Sequence, residues 1–288
     1  MSVVAIDWSG RATGERRHLW TAEAHAGELL RLEAGRTRAE VIDELVARAD
    51  DRNGVVVGFD FSFSLPEWFL RDRGYDDARA LWQAAATDGE TWLRDCEPPF
   101  WGRPGRPRPD LPAHLRRTEA AVAAVGGIRP KSSFQIGGAG SVGTGSVRGF
   151  SALARLQDAG FAIWPFDTPA LPPVAVEIWP RTFTGPVVKS SATARAAHLD
   201  AAHRGFPRAL RDAVVGSEDA FDAAVSAIVM SHHDAELRAL PAVDADLRLE
   251  GCVWSPAHPV ACASCRRFTE VTIAGCSVAE MSVSDVHE

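Results

Sequence analysis

Lysine and long apolar runs are nearly missing from this chain. Lys131 and Lys189 are the only lysines, so the positive charge is almost all arginine, as in proteins of GC-rich coding bias. No apolar run approaches the roughly 18 residues that cross a bilayer, which excludes a membrane-spanning helix. The formal net charge of −7 argues against a protein that binds nucleic acid with its whole surface, but it allows a local basic groove beside an acidic metal site.

Cysteine is also scarce, and four of the five cysteines lie from residue 252 onward. They include one C-x-x-C motif, Cys262 to Cys265, whereas zinc sites normally pair two such clusters. We expect a weakly ordered, thiol-bearing tail over residues 257–288, with zinc binding as the alternative. The N-terminus has neither the basic region nor the apolar region of a signal peptide, so we expect a cytoplasmic protein.

The remaining composition, 46% hydrophobic and 24% charged residues in 288, is that of a globular protein whose core needs no disulfides. The first 60 residues read β-β-β-α-β. Thr37 and Glu40 have the spacing of a capping box that would begin the helix. The predicted strands of this part cover residues 3–7, 16–24, 27–35 and 55–60. We therefore predict one α/β domain over residues 1–256, with a mixed sheet flanked by helices.

Residues 61–128 look like a mostly helical insertion, which would form a lid beside the site. It begins with the helix-start residues Ser64 and Pro66, and it contains a proline- and arginine-rich loop over residues 97–112. Beyond it we expect a helix from about residue 150 and an edge strand before residue 256. Between these we predict strands at 161–164 and 174–178 and helices at 191–204, 207–215 and 217–232, the last capped by Ser217.

Three predicted strands each carry one acid. Asp7 ends "VVAID", Asp60 ends "VVVGFD", and Glu177 lies in "VAVEI". Asp222 lies on the predicted helix that follows Ser217, and Asp219 is on the same helix face. Buried carboxylates are costly unless they are paired or coordinated. Their convergence would therefore predict a site for Mg²⁺ or Mn²⁺, which prefer oxygen ligands and support phosphoryl transfer and hydrolysis.

A glycine-rich segment, "KSSFQIGGAGSVGTGS", is the second candidate functional motif. Its glycines would let backbone N–H groups approach an anion, although no Walker Gly-Lys-Ser/Thr ends it. A flexible surface loop is the alternative interpretation. The candidate substrate-binding residues are Lys131, Ser132, Ser133, Gln135, Gly138, Gly140 and, after the third acidic strand, Arg181.

An arginine run in and after the proline-rich loop could contact phosphates, with nearby tryptophans to stack on bases. A solvated loop with tryptophans in the core is the alternative. The run consists of Arg103, Arg106, Arg108, Arg116 and Arg117, with Trp92 and Trp101 as the aromatic residues.

The order of these motifs resembles the ribonuclease-H-like fold. Five segments are similar to a family of predicted nucleases within that fold, domain-of-unknown-function family 429: "VVAIDWSG", "VVVGFDFSFSLP", "KSSFQIGGAGSVGTGS", "VAVEIWPR" and "EDAFDAAVSAIVM". The resemblance implies a metal-dependent nuclease that acts on nucleic acid or nucleotides. Asp7, Asp60, Glu177 and Asp222 match the family's acidic positions, and Asp219 is a possible substitute for Asp222.

Other functions stay open on the sequence alone. Actin-like and sugar-kinase-type ATPases share the fold and also combine a first-strand acid with glycine-rich phosphate turns, but they usually have two duplicated domains, and this chain shows no repeat. A non-catalytic regulatory protein and a hydrolase of a small phosphorylated molecule are the remaining alternatives.

Overall fold

The first three strands form an antiparallel meander. A computed structural model describes residues 1–51, 54–168 and 170–256. The strands are β1 (Ser2–Asp7), β2 (Trp20–His25) and β3 (Glu28–Glu33), as the sequence predicts. β2 begins later than predicted because Glu15–Arg17 form a turn of 3₁₀ helix.

Helix α1 (Arg38–Ala47) connects the meander to β4 (Val55–Phe59), which lies parallel to β1. The predicted capping box is confirmed, since Thr37 accepts from the Glu40 amide and Glu40 accepts from the Thr37 amide. β4 pairs in parallel with β6 (Val174–Ile178), and two short strands share the far edge of β6. These are β5 (Ala162–Ile163) and β7 (Val253–Trp254). Within the described residues the result is a seven-stranded mixed sheet in the order β3-β2-β1-β4-β6-β5, with β7 also paired to β6, which confirms the predicted α/β class.

The segment between β4 and the glycine-rich motif holds helices and, within its described residues 61–128, no named strand. The helices are α2 (Glu67–Asp72), α3 (Ala78–Asp95) and the short α4 (Arg117–Ala121). The proline- and arginine-rich residues 97–112 form neither helix nor strand, as predicted.

Helix α5 (Gly143–Asp158) begins inside the glycine-rich motif, earlier than the sequence predicts. Its glycines allow close packing rather than loop flexibility. A Cβ on Gly149 would lie 2.6 Å from Cζ of Phe61, and one on Gly143 would lie 2.9 Å from Cγ2 of Ile136. The end of the motif, from Gly143 onward, is therefore part of a helix packed tightly against its neighbours.

The C-terminal third is helical up to β7. Ser217 caps α9 by accepting from the Ala220 amide, as predicted. The helices predicted at 191–204, 207–215 and 217–232 are confirmed to within two residues at each end. The helices are α6 (Arg181–Thr184), α7 (Ala192–Ala202), α8 (Arg208–Gly216), α9 (Glu218–His232), α10 (Asp234–Arg238) and α11 (Ala245–Glu250). Among the described residues, no helix has the length and apolar character needed to cross a membrane.

The sheet separates two hydrophobic cores. Ile6 and Phe59 point to one face, where α1, α3 and α5 pack. Ala5 and Val176 point to the other face, which α9 covers. Because side chains alternate along a strand, the face that each acid joins depends on its position in the strand.

Candidate active site

Two of the predicted acids are neighbours at one edge of the sheet. Asp7 is the last residue of β1, and Asp60 directly follows β4. The Asp60 amide donates a hydrogen bond to the Ile6 carbonyl over 3.1 Å, which continues the parallel pairing of these strands. Two apolar, buried strands thus deliver their terminal carboxylates side by side.

Helix α9 brings a third acid to the same place. Asp222 is 6% exposed, its Oδ2 pairs with Nζ of Lys189, and its Oδ1 has no hydrogen-bond partner. Asp219 lies one turn earlier on the helix, and its Oδ2 is 3.1 Å from Nδ1 of His18. The sequence-based prediction that Asp7, Asp60 and Asp222 approach one another agrees with their mutual electrostatic influence.

The site is electrostatically unfavourable without a cation. Burial raises the pKa of Asp7 well above its usual value, and the charges of Asp60, Asp222 and Asp219 raise it further. Burial, followed by the charge of Asp222, raises the pKa of Asp60 to about 7. The pKa of Asp222 is also raised by burial, although Lys189 opposes this change. The cluster therefore retains protons or attracts positive charge.

Glu177 lies on the other face of the sheet. It pairs in register with Phe59, whose side chain belongs to the α5 side of the core. Its two carboxylate oxygens accept hydrogen bonds from Arg116 over 2.9 and 2.5 Å, and the Phe63 amide donates to it over 2.8 Å. The structure thus does not group Glu177 with the three aspartates, because it is one residue out of phase with Asp60.

Arg116 is fully buried, so the prediction that it contacts substrate phosphates is wrong. Its guanidinium donates to Glu119 and Glu177 and to the carbonyl oxygen of Glu250. The arginines of the loop before it, by contrast, are exposed. Arg108 stacks over the Trp101 ring with 5.9 Å between its Cζ and the ring centroid.

A cavity of about 620 Å³ opens beside the aspartates. The acids Asp7, Asp60 and Asp219 form one wall, and the start of α5 with the residues before it forms another. The remaining lining is Trp8, Ser9, Gly10, Arg11 and His18. The first acidic motif and the glycine-rich motif, separated in sequence, therefore share one cavity.

The N-terminus of α5 faces this cavity through Val142, Thr144 and Gly145, and no side chain caps it. The first N–H groups of a helix lack intrahelical acceptors and attract anions. Gly10 packs directly on this terminus, because a Cβ there would lie 2.8 Å from Cα of Gly145. Nε1 of Trp8 also donates to the Gly145 carbonyl over 3.1 Å. The part of the cavity formed by the start of α5 is thus suited to an anionic group.

Of the candidate substrate-binding residues in the glycine-rich motif, one lines the cavity and the others hold the surrounding loops in place. Gly140 lines the cavity, and Lys131 donates to the carbonyl of Ala139 beside it over 2.8 Å. Ser132 and Ser133 are buried, which contradicts their prediction as substrate contacts. Ser132 instead donates to the His114 carbonyl over 2.5 Å.

Three other predicted substrate residues support the loops near the site. Gln135 donates to the Gly137 carbonyl over 3.2 Å, and Gly138 adopts a left-handed backbone with φ of +80°. Arg181 donates to the carbonyl oxygens of Gly185 and Val187, which fixes the loop after α6, and its charge lowers the pKa of Asp222.

Sequence reasoning missed two groups. Lys189 pairs with Asp222, and its rarity as one of two lysines was the available signal. The residues after Asp7, from Ser9 to Arg11, line the cavity as well. Their proximity to Asp7 in sequence could have indicated this.

The donor set fits a hard divalent cation held by few protein ligands. Within the described ranges, no three side chains of histidine, cysteine, aspartate or glutamate form a ready-made metal site. Asp7 and Asp60 are, however, adjacent carboxylates without an ion pair to any described residue, and Mg²⁺ is commonly held by one or two carboxylates with water and substrate phosphates.

The expected thiol-bearing tail over residues 257–288 and its alternative, zinc binding, both stay predictions, since Cys262, Cys265 and Cys276 lie outside the described residues. Cys252 is buried, and Oγ1 of Thr118 is 3.9 Å from its Sγ. Comparisons with protein-family models, with curated proteins and with solved structures each gave no match.

Proposed function

We propose that this chain is a metal-dependent phosphoester hydrolase of ribonuclease-H-like type, acting on nucleic acid or nucleotides. The observation that carries the proposal is the cavity that Asp7 and Asp60 line together with the start of α5, a helix terminus without a side-chain cap. One wall suits a cation and the other suits an anion, as the phosphate of a metal-bound substrate requires. The antiparallel meander, followed by α1 and two parallel strands, supports the fold assignment.

Each wall has a defined role in this proposal. Asp7 and Asp60 would hold Mg²⁺ or Mn²⁺, which would supply an activated water and charge stabilisation for a leaving phosphate oxygen. The N–H groups of Thr144 and Gly145 would bind and orient the phosphate, since the Gly143 amide already donates to the Gln135 carbonyl, and the helix dipole would favour the negative charge of the phosphate. Gly10 allows the two walls to approach each other by its lack of a side chain.

The cavity connects the half-buried carboxylates to solvent, so water and substrate could reach the acids although protein atoms cover most of their surface. Asp7 and Asp60 are half-buried, whereas Gly140 and Arg11 at the rim are exposed. Arg11 has no ion pair with a described residue, so its guanidinium is available to a second phosphate of the substrate.

Asp7→Asn tests the proposal. We expect loss of at least about 100-fold of metal-dependent hydrolysis, because one of the two ligand carboxylates is removed, with an unchanged circular dichroism spectrum. The assay uses Mg²⁺ or Mn²⁺ with single-stranded RNA, single-stranded DNA, duplex DNA and ATP, each repeated in EDTA.

Asp43→Asn is the matched control, since Asp43 is an exposed acid on α1 that pairs with Arg155. It should retain full activity. Hydrolysis that is undiminished in Asp7→Asn would contradict the mechanism. Hydrolysis of ATP alone, with both nucleic acids untouched, would favour the ATPase alternative.

A further inference from the structure

Lys189 places a positive charge within the aspartate cluster. It lies in the loop between α6 and α7, its side chain is 18% exposed, and its Nζ pairs with Oδ2 of Asp222. Its charge acts on Asp7 and Asp60 as well. The acidic site thus contains its own cation.

The protein fixes the backbone that carries this lysine. Arg195 is 4% exposed and donates to the carbonyl oxygens of Lys189 and Val215. Arg181 donates to the Val187 carbonyl over 2.6 Å. Two arginines thus hold the loop from both sides, which distinguishes Lys189 from a mobile surface lysine.

This arrangement divides the three aspartates unequally. Asp222 pairs through Oδ2 with Lys189, whereas Asp7 and Asp60 have no ion pair among the residues that the structure describes. A second divalent ion at Asp222 would have to displace a lysine whose backbone is held by Arg195. An ammonium group is a compact charge with three donors, so it can satisfy one carboxylate oxygen and still face a phosphate.

We propose that Lys189 takes the place of a second metal ion, so that the site binds one divalent cation, at Asp7 and Asp60. The inference rests on the proposed function and restricts it to a one-metal mechanism. Lys189 is then a positioning and charge-balancing residue, whose effect appears in the number of ions bound as well as in catalysis.

The test counts bound ions. Equilibrium dialysis with Mn²⁺ and inorganic phosphate, read by electron paramagnetic resonance, is carried out on the wild type, on Lys189→Met and on Arg155→Met. We expect one ion in the wild type, two ions in Lys189→Met, and one in Arg155→Met. The last variant is the matched control, because it removes an equal positive charge from a half-exposed side chain that pairs with Asp43 and does not line the cavity.

The outcomes separate the inference from the proposed function. Two spin-coupled ions in the wild type, or one ion in both the wild type and a folded Lys189→Met, would overturn the inference and leave the hydrolase proposal standing. No ion in the wild type would overturn both.

A charge-neutral variant covers the case in which Lys189→Met does not fold. Lys189→Met/Asp222→Asn removes the ion pair as a unit and therefore leaves no unpaired buried charge. We expect it to retain one ion, since Asp7 and Asp60 remain. Loss of that ion would show that Asp222 is an obligatory ligand and would overturn the inference.

Discussion

Asp60 has the most informative protonation equilibrium of the site. Its pKa is raised from 3.8 to about 7, by burial first and by Asp222 second. The folded chain therefore holds this proton more tightly than the unfolded chain does. The resulting contribution to stability is complete below about pH 4 and is lost as the pH rises through about 7.

We accordingly expect the free energy of unfolding of the metal-free protein to decrease between about pH 4 and pH 8, and the decrease to be smaller in Asp60→Asn. Urea denaturation in EDTA across this range measures the difference. Asp43→Asn, which changes an exposed acid, should follow the wild type. Identical pH profiles for wild type and Asp60→Asn would show that Asp60 ionises normally in the folded chain.

Sequence reasoning identified the acids but not their grouping. Asp7 and Asp60 were found because each ends a run of apolar strand residues. Glu177 looked equivalent, yet its register with Phe59 places it on the opposite face. Strand alternation could have indicated this, but the register between β4 and β6 depends on pairing that one sequence does not specify.

At the scale of elements, the contact between the loop after β1 and the start of α5 assembles the cavity. A Cβ on Gly10 would lie 2.8 Å from Cα of Gly145, which is backbone and cannot rotate away. Gly10→Ala should therefore separate the two walls. We expect a loss of stability of about 1–3 kcal/mol and a rise in KM that exceeds the fall in kcat, because phosphate binding is disturbed first.

Gly216→Ala is the control for Gly10→Ala. Gly216 ends α8 and has no atom within 4 Å of a built Cβ, so the substitution should be nearly neutral for stability and kinetics. Thermal unfolding and steady-state kinetics of both variants measure the changes in stability, KM and kcat that we expect for Gly10→Ala alone. Wild-type KM in Gly10→Ala would show that the closeness of the two walls is irrelevant to substrate binding.

The elements that the sequence predicted well have strong local signals. Thr37 with Glu40 and Ser217 with the Ala220 amide determine where α1 and α9 begin. The start of α5 was missed because glycine normally disfavours helix, and only tertiary packing against Phe61 and Ile136 explains Gly149 and Gly143 there. Close packing of this kind has no signature in local sequence.

At the scale of the whole molecule, Arg116 joins three separate parts. Its buried guanidinium bonds to Glu177 of the sheet, Glu119 of α4 and the Glu250 carbonyl at the end of α11. Arg116→Met would leave two buried carboxylates without their partner. We expect a loss of about 3–5 kcal/mol in the free energy of unfolding, measured with urea.

Arg155→Met is the comparison, because Arg155 pairs with Asp43 where both side chains are at least half exposed. That substitution should cost less than about 1 kcal/mol. Arg116→Met/Glu119→Gln/Glu177→Gln should recover part of the loss if unpaired charge is its cause. Equal stabilities of Arg116→Met and Arg155→Met would refute a central role for this network.

The Arg116 network also marks the limit of sequence reasoning for this chain. The pair with Glu177 joins residues 61 positions apart, and no local pattern indicates it. Read locally, Arg116 belonged to an arginine run near a proline-rich loop, which suggested a solvent-exposed, phosphate-binding residue. Only the assembled tertiary structure shows that it is fully buried.

The short strand β7 has a consequence for biosynthesis. It covers the half of the β6 edge that contains Glu177 and Ile178, whereas β5 covers the half that contains Val174 and Ala175. A nascent chain that ends before Val253 therefore has an unpaired strand edge at Glu177 and Ile178, and such edges promote aggregation. The ribosome must synthesise β7 before this half of the β6 edge is paired, so resistance to aggregation through this edge begins only after Val253 and Trp254 have been made.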